Sequence, residues 1–464
     1  MWLLNGKDSD IALMEEGLAL NYKQTRESLI ELENIFSEYL FYQLLFKRNV
    51  ASCLVYFALL KIKSNFIISD KELNYFRPKN PIEPNIIIST EPISGLNLNS
   101  NIKLSISGVK IEIYLYNNNF DKNFSSKTAK TNYILLNTSG STGAPKYVKL
   151  IESNLQSNTK AISRYLKLTD NDRSITDLPL SYTYGLSVLN THMYTGGSVY
   201  LSEASLFQKS YYEIQEYFNP TFFSGVPSSY EICRSLKFKP LLAKSLRNYT
   251  QAGGKLKLET QELLLNLAKR RNSTLFIMYG QTEATARISY LNLTSYPDKI
   301  GSVGIPIDDT EIQIRNQNNK NIGEIHVKGP GVFSGYAQKI ADLLLPNKTT
   351  KWLRTGDLGY IDNDGYLYVT GRLKRISKID GVRIDLDSIE NELNRLSENI
   401  IVVGDDKYLY VVSKGTMPDL KHLYKIINKT RVKTIHIEQI PSTNNGKPDY
   451  SKIIKLAQKA LSCD

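Results

Sequence analysis

The stretch from Ile134 to Lys146 reads Ile-Leu-Leu-Asn-Thr-Ser-Gly-Ser-Thr-Gly-Ala-Pro-Lys, and it decides the fold class. Its apolar start predicts a strand that leads into a turn rich in glycine and hydroxyl side chains. Glycines let a backbone approach closely, and the N–H groups, hydroxyls and one ammonium then converge on a small volume. The stretch therefore predicts a phosphate cradle, although a solvated surface loop explains this segment taken alone.

This turn differs from the common nucleotide-binding loop. That loop places a lysine directly after its last glycine and a serine or threonine after the lysine. Here Lys146 follows Gly143 by three residues, and Tyr147 comes next. We expect the bulky side chain of Tyr147 to affect how the turn closes, although it removes no hydrogen-bond donor.

Six more segments follow the turn in sequence. They are Leu178-Pro-Leu-Ser-Tyr-Thr-Tyr-Gly185, Tyr279-Gly-Gln-Thr-Glu283, Gly323-Glu-Ile-His-Val-Lys-Gly-Pro-Gly331 with Gly335-Tyr336, Thr355-Gly-Asp-Leu358, Gly371-Arg-Leu-Lys-Arg375 and Pro441-Ser-Thr-Asn-Asn-Gly-Lys447. Together with the turn they resemble, from about residue 40 to 460, the adenylate-forming superfamily of acyl-CoA synthetases, amino-acid adenylation domains and firefly-type luciferases. The order of seven segments makes the resemblance specific.

The resemblance implies an α/β fold with two domains. Residues 1–373 would form a large N-terminal domain of doubly wound sheets plus a distorted β-barrel. Residues 374–464 would form a small, mobile α+β domain that carries the catalytic lysine. The hairpin signal Asp362-Asn-Asp-Gly365, and short apolar runs such as Phe222-Phe223 and Leu275-Phe-Ile-Met278, predict individual strands.

The resemblance also implies the reaction. A carboxylic acid and ATP would give an acyl-adenylate and pyrophosphate, and the acyl group would then pass to a thiol of CoA or of a separate phosphopantetheine carrier protein. An amine acceptor stays open, and an inactive nucleotide-binding scaffold is a distant alternative. The sequence names neither the acid nor the pathway.

ATP and Mg²⁺ would be bound by residues at motif positions. The phosphate-binding set would be Thr138, Ser139, Gly140, Ser141, Thr142, Gly143 and Lys146. Tyr279 would stack on adenine, Gly280 and Gln281 would adjoin the nucleotide, and Thr282 would contact the α-phosphate. Glu283, with Thr142, would ligate Mg²⁺, a cation that prefers carboxylate and phosphate oxygens. Gly253 and Gly254 would line the adenine pocket, although a plain tight turn explains them nearly as well.

The last motifs supply the remaining nucleotide contacts. Asp357 would accept both ribose hydroxyls, since a carboxylate has two acceptor oxygens. Arg372 would reach the ribose or the α-phosphate, and Lys374 would be the hinge of a domain rotation. Lys447 would bridge the acid and the α-phosphate in the first step only.

The acid would lie against a polar and aromatic surface made by Tyr182, Tyr184, Phe223, Ser224 and Gly225. The segment around Tyr182 contains no carboxylate to hold an ammonium group. This argues against an α-amino acid bound in the usual way of adenylation domains. The four histidines are scattered, and we assign none of them to catalysis.

Bulk properties bound the remaining possibilities. The chain has 464 residues, which suits two or three folding units. Three separated cysteines indicate a reducing compartment. The first residues do not resemble a signal peptide, so we expect none. We also expect the enzyme to act without a carrier module of its own. The most apolar stretch, near residues 50–60, is too short to span a bilayer. These features predict a cytoplasmic protein. The net charge of +12 leaves a polyanion- or membrane-surface-binding protein as an alternative, but the charge is spread along the chain, so we expect no nucleic-acid partner.

Overall fold

A computed structural model gives the fold. It describes residues 1–36, 40–69, 82, 84–93, 98–106, 109–117, 131–138, 146–344, 352–379, 382–405, 407–425, 427–443 and 448–461. The phosphate turn at residues 139–145 and Lys447 lie outside these residues. In the described part, no helix is both long enough and apolar enough to cross a membrane.

The helices are α1 (Tyr22–Glu33), α2 (Val50–Lys61), α3 (Glu152–Tyr165), α4 (Thr183–Thr195), α5 (Lys209–Phe218), α6 (Pro227–Ser235), α7 (Leu258–Arg270), α8 (Leu386–Leu396) and α9 (Tyr450–Leu461). Short 3₁₀ segments include Thr282–Ala284, Ile340–Leu343 and Leu373–Arg375.

The strands are β1 (Ile11–Glu15), β2 (Leu18–Asn21), β3 (Phe41–Leu45), β4 (Asn65–Ser69), β5 (Ile86–Ser89), β6 (Leu98–Ile106), β7 (Val109–Asn117), β8 (Ile134–Thr138), β9 (Lys146–Leu150), β10 (Arg173–Ile175), β11 (Ser198–Tyr200), β12 (Phe222–Gly225), β13 (Asn248–Gln251), β14 (Thr274–Tyr279), β15 (Ser289–Asn292), β16 (Ile305–Pro306), β17 (Glu311–Arg315), β18 (Gly323–Lys328), β19 (Tyr336–Ala337), β20 (Leu353–Ile361), β21 (Leu367–Arg372), β22 (Ile376–Ile379), β23 (Val382–Asp385), β24 (Ile400–Gly404), β25 (Leu409–Ser413) and β26 (Val432–His436).

The chain divides into two compact units. Unit 1 comprises Met1–Glu311 and Val327–Leu353, and unit 2 comprises Ile312–His326 and Arg354–Asp464. The sequence predicts a different boundary, at Lys374, between two domains that would move relative to each other during the reaction. That boundary stays a prediction.

Unit 1 is built on two large sheets. One has the strand order β16-β15-β14-β13-β12-β10-β11-β1-β2, and the other has the order β19-β9-β8-β4-β3-β5-β7-β6. Their centres are parallel, as in β12-β13-β14 and in β8-β4-β3-β5. Helix α2 is buried on all sides from Val50 to Leu60, which explains its continuous apolar sequence. The predicted doubly wound α/β arrangement is confirmed.

Unit 2 is smaller and richer in strands. It contains a four-stranded sheet in the order β17-β18-β20-β21, a β22-β23 hairpin and a sheet of β24-β25-β26. Asp385 is the N-cap residue that precedes helix α8. Its side chain accepts hydrogen bonds from the N–H groups of Asp387 and Ser388, as is typical of an N-cap. The predicted hairpin at residues 362–365 joins β20 to β21 and is confirmed.

Candidate active site

Three predicted site residues of unit 1, two for the nucleotide and one for the acid, lie at the same edge of one sheet. The parallel strands β12, β13 and β14 end at Gly225, Gln251 and Tyr279, and the predicted residues Ser224, Gly253 and Tyr279 lie at or just beyond these ends. Ligands of open α/β sheets bind outside the carboxyl ends of the strands. The motif positions therefore converge where the fold favours a ligand.

The turn after Tyr279 is held in one shape. A Cβ atom at Gly280 would lie 1.9 Å from the Ala286 carbonyl oxygen, so a larger residue does not fit. Thr285 has φ +68°, which is uncommon for a β-branched residue, and its hydroxyl donates to the Gly331 carbonyl at 2.6 Å. Backbone conformations of this kind persist where surrounding contacts impose them.

Glu283 is positioned by a tyrosine from the other sheet. The Tyr336 hydroxyl donates to Glu283 Oε1 at 2.8 Å, and Lys146 Nζ lies 3.4 Å from the centre of the Tyr336 ring. Burial, and secondly the adjacent Glu283 carboxylate, raise the pKa of Tyr336. Tyr336 thus contacts a carboxylate through its hydroxyl and an ammonium through its ring.

These residues fit a bound Mg²⁺–ATP. A carboxylate has about four acceptor positions, so one hydrogen bond from Tyr336 leaves Glu283 able to ligate a cation. Within the described residues no group of three or more His, Cys, Asp or Glu side chains could hold a metal. One carboxylate supplemented by phosphate oxygens is a common Mg²⁺ arrangement. Thr142, the other predicted metal residue, lies outside the described residues, as do Ser139, Gly140, Ser141 and Gly143 of the phosphate turn.

Tyr147 is a core residue. It follows Lys146 in β9, its side chain is fully buried, and it packs with Phe41, Tyr133 and Ala337. Successive side chains of a strand point to opposite faces, which explains why Lys146 and Tyr147 have different surroundings. The bulk of Tyr147 is accommodated by the core. Thr138, which ends β8, pairs with Lys146 in the register of the two strands.

The two predicted glycines of the adenine pocket form a tight turn. Gly253 has φ +87°, and a Cβ atom there would lie 2.6 Å from the Tyr182 hydroxyl oxygen. Gln251 Nε2 donates to the Gly254 carbonyl at 2.9 Å and closes the turn. A contact with adenine stays a prediction. Nearby, Gln281 Nε2 is buried and has no hydrogen-bond acceptor among the described residues.

A small cavity of about 10 Å³ lies behind these strand ends. Its polar lining consists of Tyr184, Ser187, Thr191, His192, Ser224, Thr250 and Arg287, and its other walls are apolar. Tyr184 and Ser224 are two of the predicted acyl-pocket residues. Tyr182, Phe223 and Gly225 are not among the lining residues: Phe223 packs edge to face on Tyr230 at 5.4 Å, and a Cβ at Gly225 would touch both rings.

Sequence reasoning missed Arg287 and set His192 aside. Arg287 interrupts the apolar run Ala286-Arg-Ile288, four residues after Glu283. It is 4% exposed. A charged residue inside an apolar run next to a motif was the signal that could have revealed it.

In unit 2, the two predicted ribose residues contact each other. Asp357 on β20 pairs in register with Arg372 on β21, and Arg372 Nε donates to Asp357 Oδ1 at 2.9 Å. Asp357 is buried, whereas the Arg372 side chain is 63% exposed. The Arg372 N–H also donates to Asp387 Oδ2 at 2.9 Å. A carboxylate offers about four acceptor positions, so the contact with Arg372 is compatible with a further hydrogen bond from a hydroxyl.

The predicted hinge residue stands beside a buried ionic network. Lys374 lies in the 3₁₀ segment Leu373–Arg375. Arg375 Nε donates to Asp387 at 2.7 Å, Nη2 donates to Glu390 at 2.8 Å, and Nη1 donates to the Val402 carbonyl at 2.7 Å. Its guanidinium carbon lies 3.8 Å from the centre of the Tyr450 ring. Arg375 therefore ties the start of the C-terminal region to α8, β24 and α9.

Comparisons with known proteins agree with this geometry. A family model described as AMP-binding enzyme matches residues 75–337, more than half of the chain. The oxalate--CoA ligase of Saccharomyces cerevisiae is 30% identical over 336 residues, which cover 68% of this chain and 61% of that protein. The 2-succinylbenzoate--CoA ligase of Oceanobacillus iheyensis is 33% identical over 263 residues, covering 56% of this chain and 54% of that protein. The chain thus spans less than two thirds of the length of these curated relatives.

A solved structure shares the fold over most of both chains. The o-succinylbenzoate CoA synthetase (MenE) of Bacillus subtilis, in complex with the acyl-adenylate intermediate OSB-AMP, superimposes with a TM-score of 0.70 at 20% identity. The match covers 96% of this chain and 95% of that one. Because the sequence identity is only 20%, the match establishes the fold and nothing further.

Proposed function

Because the chain belongs to the AMP-binding enzyme family, we propose that it activates a carboxylic acid with ATP and transfers the acyl group to the thiol of coenzyme A. The observation that carries the proposal is the fixed turn after Tyr279. There Glu283 accepts from Tyr336, and Lys146 lies against the Tyr336 ring. A carboxylate suited to a metal and a cation suited to phosphate thus lie on one tyrosine, just beyond the carboxyl end of β14, and this arrangement supports the proposal.

In the first step, an oxygen of the acid attacks the α-phosphorus of ATP. The bond from that phosphorus to the oxygen bridging to the β-phosphate breaks, and pyrophosphate leaves. Such displacements depend on positioning and on stabilising charge. Lys146 would bind the outgoing phosphates, Thr282 the α-phosphate, and Lys447 the attacking carboxylate. Mg²⁺, when bound at Glu283, would neutralise phosphate charge.

In the second step, the thiol sulfur attacks the acyl carbon. AMP leaves with the carboxylate oxygen that it received in the first step, and the thiol proton passes to solvent. The mixed anhydride supplies a good leaving group, which a free carboxylate lacks. AMP is therefore the nucleotide product of the whole sequence.

Two neighbouring side chains, Gln281 and Tyr279, support the binding of a nucleotide in unit 1. Gln281 Nε2 is buried with no acceptor among the described residues, and a buried donor left unpaired is costly. Tyr279 ends its strand half-exposed beside this amide, and a tyrosine ring offers a flat apolar face to a base. An adenine nucleotide would offer an acceptor to the Gln281 amide and a flat base to the Tyr279 ring.

Coenzyme A is our choice of acceptor because the curated relatives are named as CoA ligases. A carrier-protein phosphopantetheine presents the same thiol chemistry. An amine would instead give an amide, and the product identifies which acceptor reacts.

The test is product analysis with a panel of carboxylic acids. ATP, Mg²⁺ and each acid are incubated with hydroxylamine, which traps an acyl-adenylate as a hydroxamate, or with CoA, which gives a thioester measurable by mass spectrometry. We expect AMP, pyrophosphate and the thioester with at least one acid. ADP as the product, or ATP binding without turnover across the panel, would overturn the proposal, the latter in favour of an inactive scaffold.

Lys447 gives a more specific check. Lys447→Ala is expected to abolish hydroxamate formation but to leave thioester formation from supplied acyl-adenylate. Lys452→Ala is the matched control, because Lys452 is an exposed lysine on α9 whose nearest acid, Asp449, lies 3.7 Å away. Equal loss of both steps would exclude the step-specific role.

We also propose Lys374 as the hinge between the two steps. Proline fixes φ near about −65° and blocks backbone rotation. Lys374→Pro should therefore keep hydroxamate formation and lose thioester formation, whereas Lys374→Ala should keep both. A proline variant with both steps intact would place the hinge elsewhere.

A further inference from the structure

Arg287 is a buried cation with no anionic partner among the described residues. Its guanidinium lies 4.1 Å from the centre of the Tyr184 ring, Nε contacts Met278 Sδ at 3.3 Å, and Nη1 donates to the Ala286 carbonyl at 3.2 Å. Across the described ranges, no carboxylate lies within ion-pair distance of it. The Tyr184 ring, the Met278 thioether, the Ala286 carbonyl and the Tyr165 hydroxyl, which also hydrogen-bonds to Arg287, compensate the buried charge only partly, because none of them is an anion. The described surroundings of Arg287 therefore contain no negative group that would neutralise its charge.

His192 on the cavity wall also has a buried polar atom without a partner among the described residues, but this atom requires a hydrogen-bond donor. Its Nδ1 lies 2.8 Å from the Val188 carbonyl oxygen, which can only accept, so Nδ1 carries the proton. Nε2 is then an acceptor, and it is buried with no partner among the residues that the structure describes. Burial lowers the pKa of His192 and keeps the ring neutral. The cavity thus presents a cation and an unpaired acceptor, which is the lining of a polar ligand site.

The cation is held rigidly. The Tyr184 hydroxyl donates to the Thr250 carbonyl at 2.8 Å, which fixes the ring beneath the guanidinium. Ser224 and Thr250 exchange a hydroxyl hydrogen bond of 2.9 Å beside it. A site whose groups are fixed before binding loses little entropy when the ligand arrives.

The cavity lies beside the proposed activation site. Arg287 is in the connection between β14 and β15, and the Ile288 N–H donates to the Tyr279 carbonyl at 2.8 Å. Met278, which the Arg287 side chain contacts, is next to Tyr279 in β14. An acid whose reacting carboxylate lies near Thr282 would thus extend its other end towards Arg287.

We propose that the acid activated by this protein carries a second anionic group, and that Arg287 binds this group. The proposal rests on the proposed function. The free space of about 10 Å³ in the cavity is close to that of one water molecule. The free space therefore limits what can enter to a small polar group at the end of the acid, and short diacids are the compounds to test.

The test compares acids in matched pairs that differ in the second carboxylate. Malonate is paired with propionate, succinate with butyrate, and glutarate with valerate, and kcat/KM for pyrophosphate release is measured for each. We expect the best diacid to exceed its monoacid partner by roughly 10- to 100-fold, the range of a charge-assisted contact. Equal or higher values for every monoacid would overturn the proposal.

Substitution of the arginine gives the second arm. Arg287→Met keeps an unbranched side chain without charge and should reduce or reverse the diacid preference, with KM for ATP unchanged. Arg287→Lys should keep part of the preference. Arg164→Met, which removes an exposed arginine from α3, is the control and should keep all of it. A diacid preference that survives in Arg287→Met would overturn the role of Arg287.

A binding measurement covers the case in which a variant is inactive. Titration calorimetry of the unmodified protein with the best diacid should show binding that its monoacid partner lacks. Monoacid turnover without diacid preference contradicts only the second-anion proposal. Absence of pyrophosphate release with every acid contradicts the proposed adenylation itself.

Discussion

Two buried arginines, one in each compact unit, lie over tyrosine rings but have different neighbours. Arg375 in unit 2 lies 3.8 Å from the Tyr450 ring and binds the carboxylates of Asp387 and Glu390. Arg287 in unit 1 lies 4.1 Å from the Tyr184 ring and has no carboxylate partner in the described part of the chain. The same packing of guanidinium on phenol thus occurs once with its counter-ions and once without.

The difference separates a structural charge from a binding charge. A buried cation with two anions and a carbonyl is satisfied by its own chain, and removing it would strand two acids. A buried cation without an anion contributes little to folding and is available to a ligand. Proteins commonly concentrate such unfavourable arrangements at functional sites. The comparison predicts opposite consequences for equivalent substitutions.

The largest expected effect is on stability. Arg375→Met leaves Asp387 and Glu390 without their cation, and breaking a buried pair in this way costs about 3–5 kcal/mol. Arg287→Met should cost much less than this or stabilise the protein, because no acid is stranded. Differential scanning calorimetry of both variants checks the contrast. Similar losses in the two variants would mean that Arg287 is also a structural charge.

Asp357→Ala tests an ion pair of unit 2 that is open to solvent on one side. The Arg372 partner is 63% exposed, and pairs of this kind contribute about 0–1 kcal/mol to stability. ATP binding should suffer more, since ribose hydroxyls lose a charged acceptor that contributes about 1.5–3 kcal/mol. The apparent KM for ATP should therefore rise roughly 10- to 100-fold, with little change for the acid. A shift in the acid KM with an unchanged ATP KM would show that Asp357 is not the ribose residue.

Asp177 extends the comparison to a buried acid. Burial raises the pKa of its carboxyl group to about 7, while the Arg48 charge and a hydrogen bond from Tyr211 oppose the rise. Between about pH 4 and 7 the folded state binds this proton and the unfolded state has released it, so the group's contribution to stability falls as the pH rises.

Asp177→Asn should remove this dependence. The free energy of unfolding of the variant, relative to the unsubstituted protein, should increase by about 2–3 kcal/mol between pH 5 and pH 8. Urea unfolding at several pH values measures the difference. Parallel pH curves for the two proteins would show that Asp177 is ionised throughout.

The smallest expected effect is at Tyr336. Tyr336→Phe keeps the ring beside Lys146 but removes the hydroxyl that donates to Glu283. Glu283 would then be less well positioned, and the Mg²⁺ concentration for half-maximal activity should rise severalfold. Tyr217→Phe, at a 72% exposed tyrosine, is the control. An unchanged Mg²⁺ requirement would separate Tyr336 from the metal site.

The sequence predicted those parts of the molecule that depend on local order. The strand Leu275-Phe-Ile-Met278, the hairpin at residues 362–365 and the turn after Tyr279 each follow from short patterns, because turn residues and apolar runs determine them directly. The contact between Asp357 and Arg372 was not predicted, although the register of the same hairpin places the two residues opposite each other.

The sequence could not predict contacts that fold-level packing creates. The Tyr336 hydroxyl reaches Glu283 across 53 residues of chain. The missing counter-ion of Arg287 is visible only when every neighbour is placed. The β1-β2 hairpin at the start of the chain was also missed, because strands of five and four residues give too short an alternation to recognise.

Transfer of ¹⁸O from a labelled acid tests the central claim most directly. The acid is labelled in its carboxylate oxygens and converted in the presence of ATP and CoA, and the nucleotide and phosphate products are analysed by mass spectrometry. If a carboxylate oxygen attacks the α-phosphorus and leaves with AMP, the AMP carries one ¹⁸O and the pyrophosphate carries none. Label in orthophosphate with ADP as the nucleotide, or unlabelled AMP, would contradict adenylation of the acid by this protein.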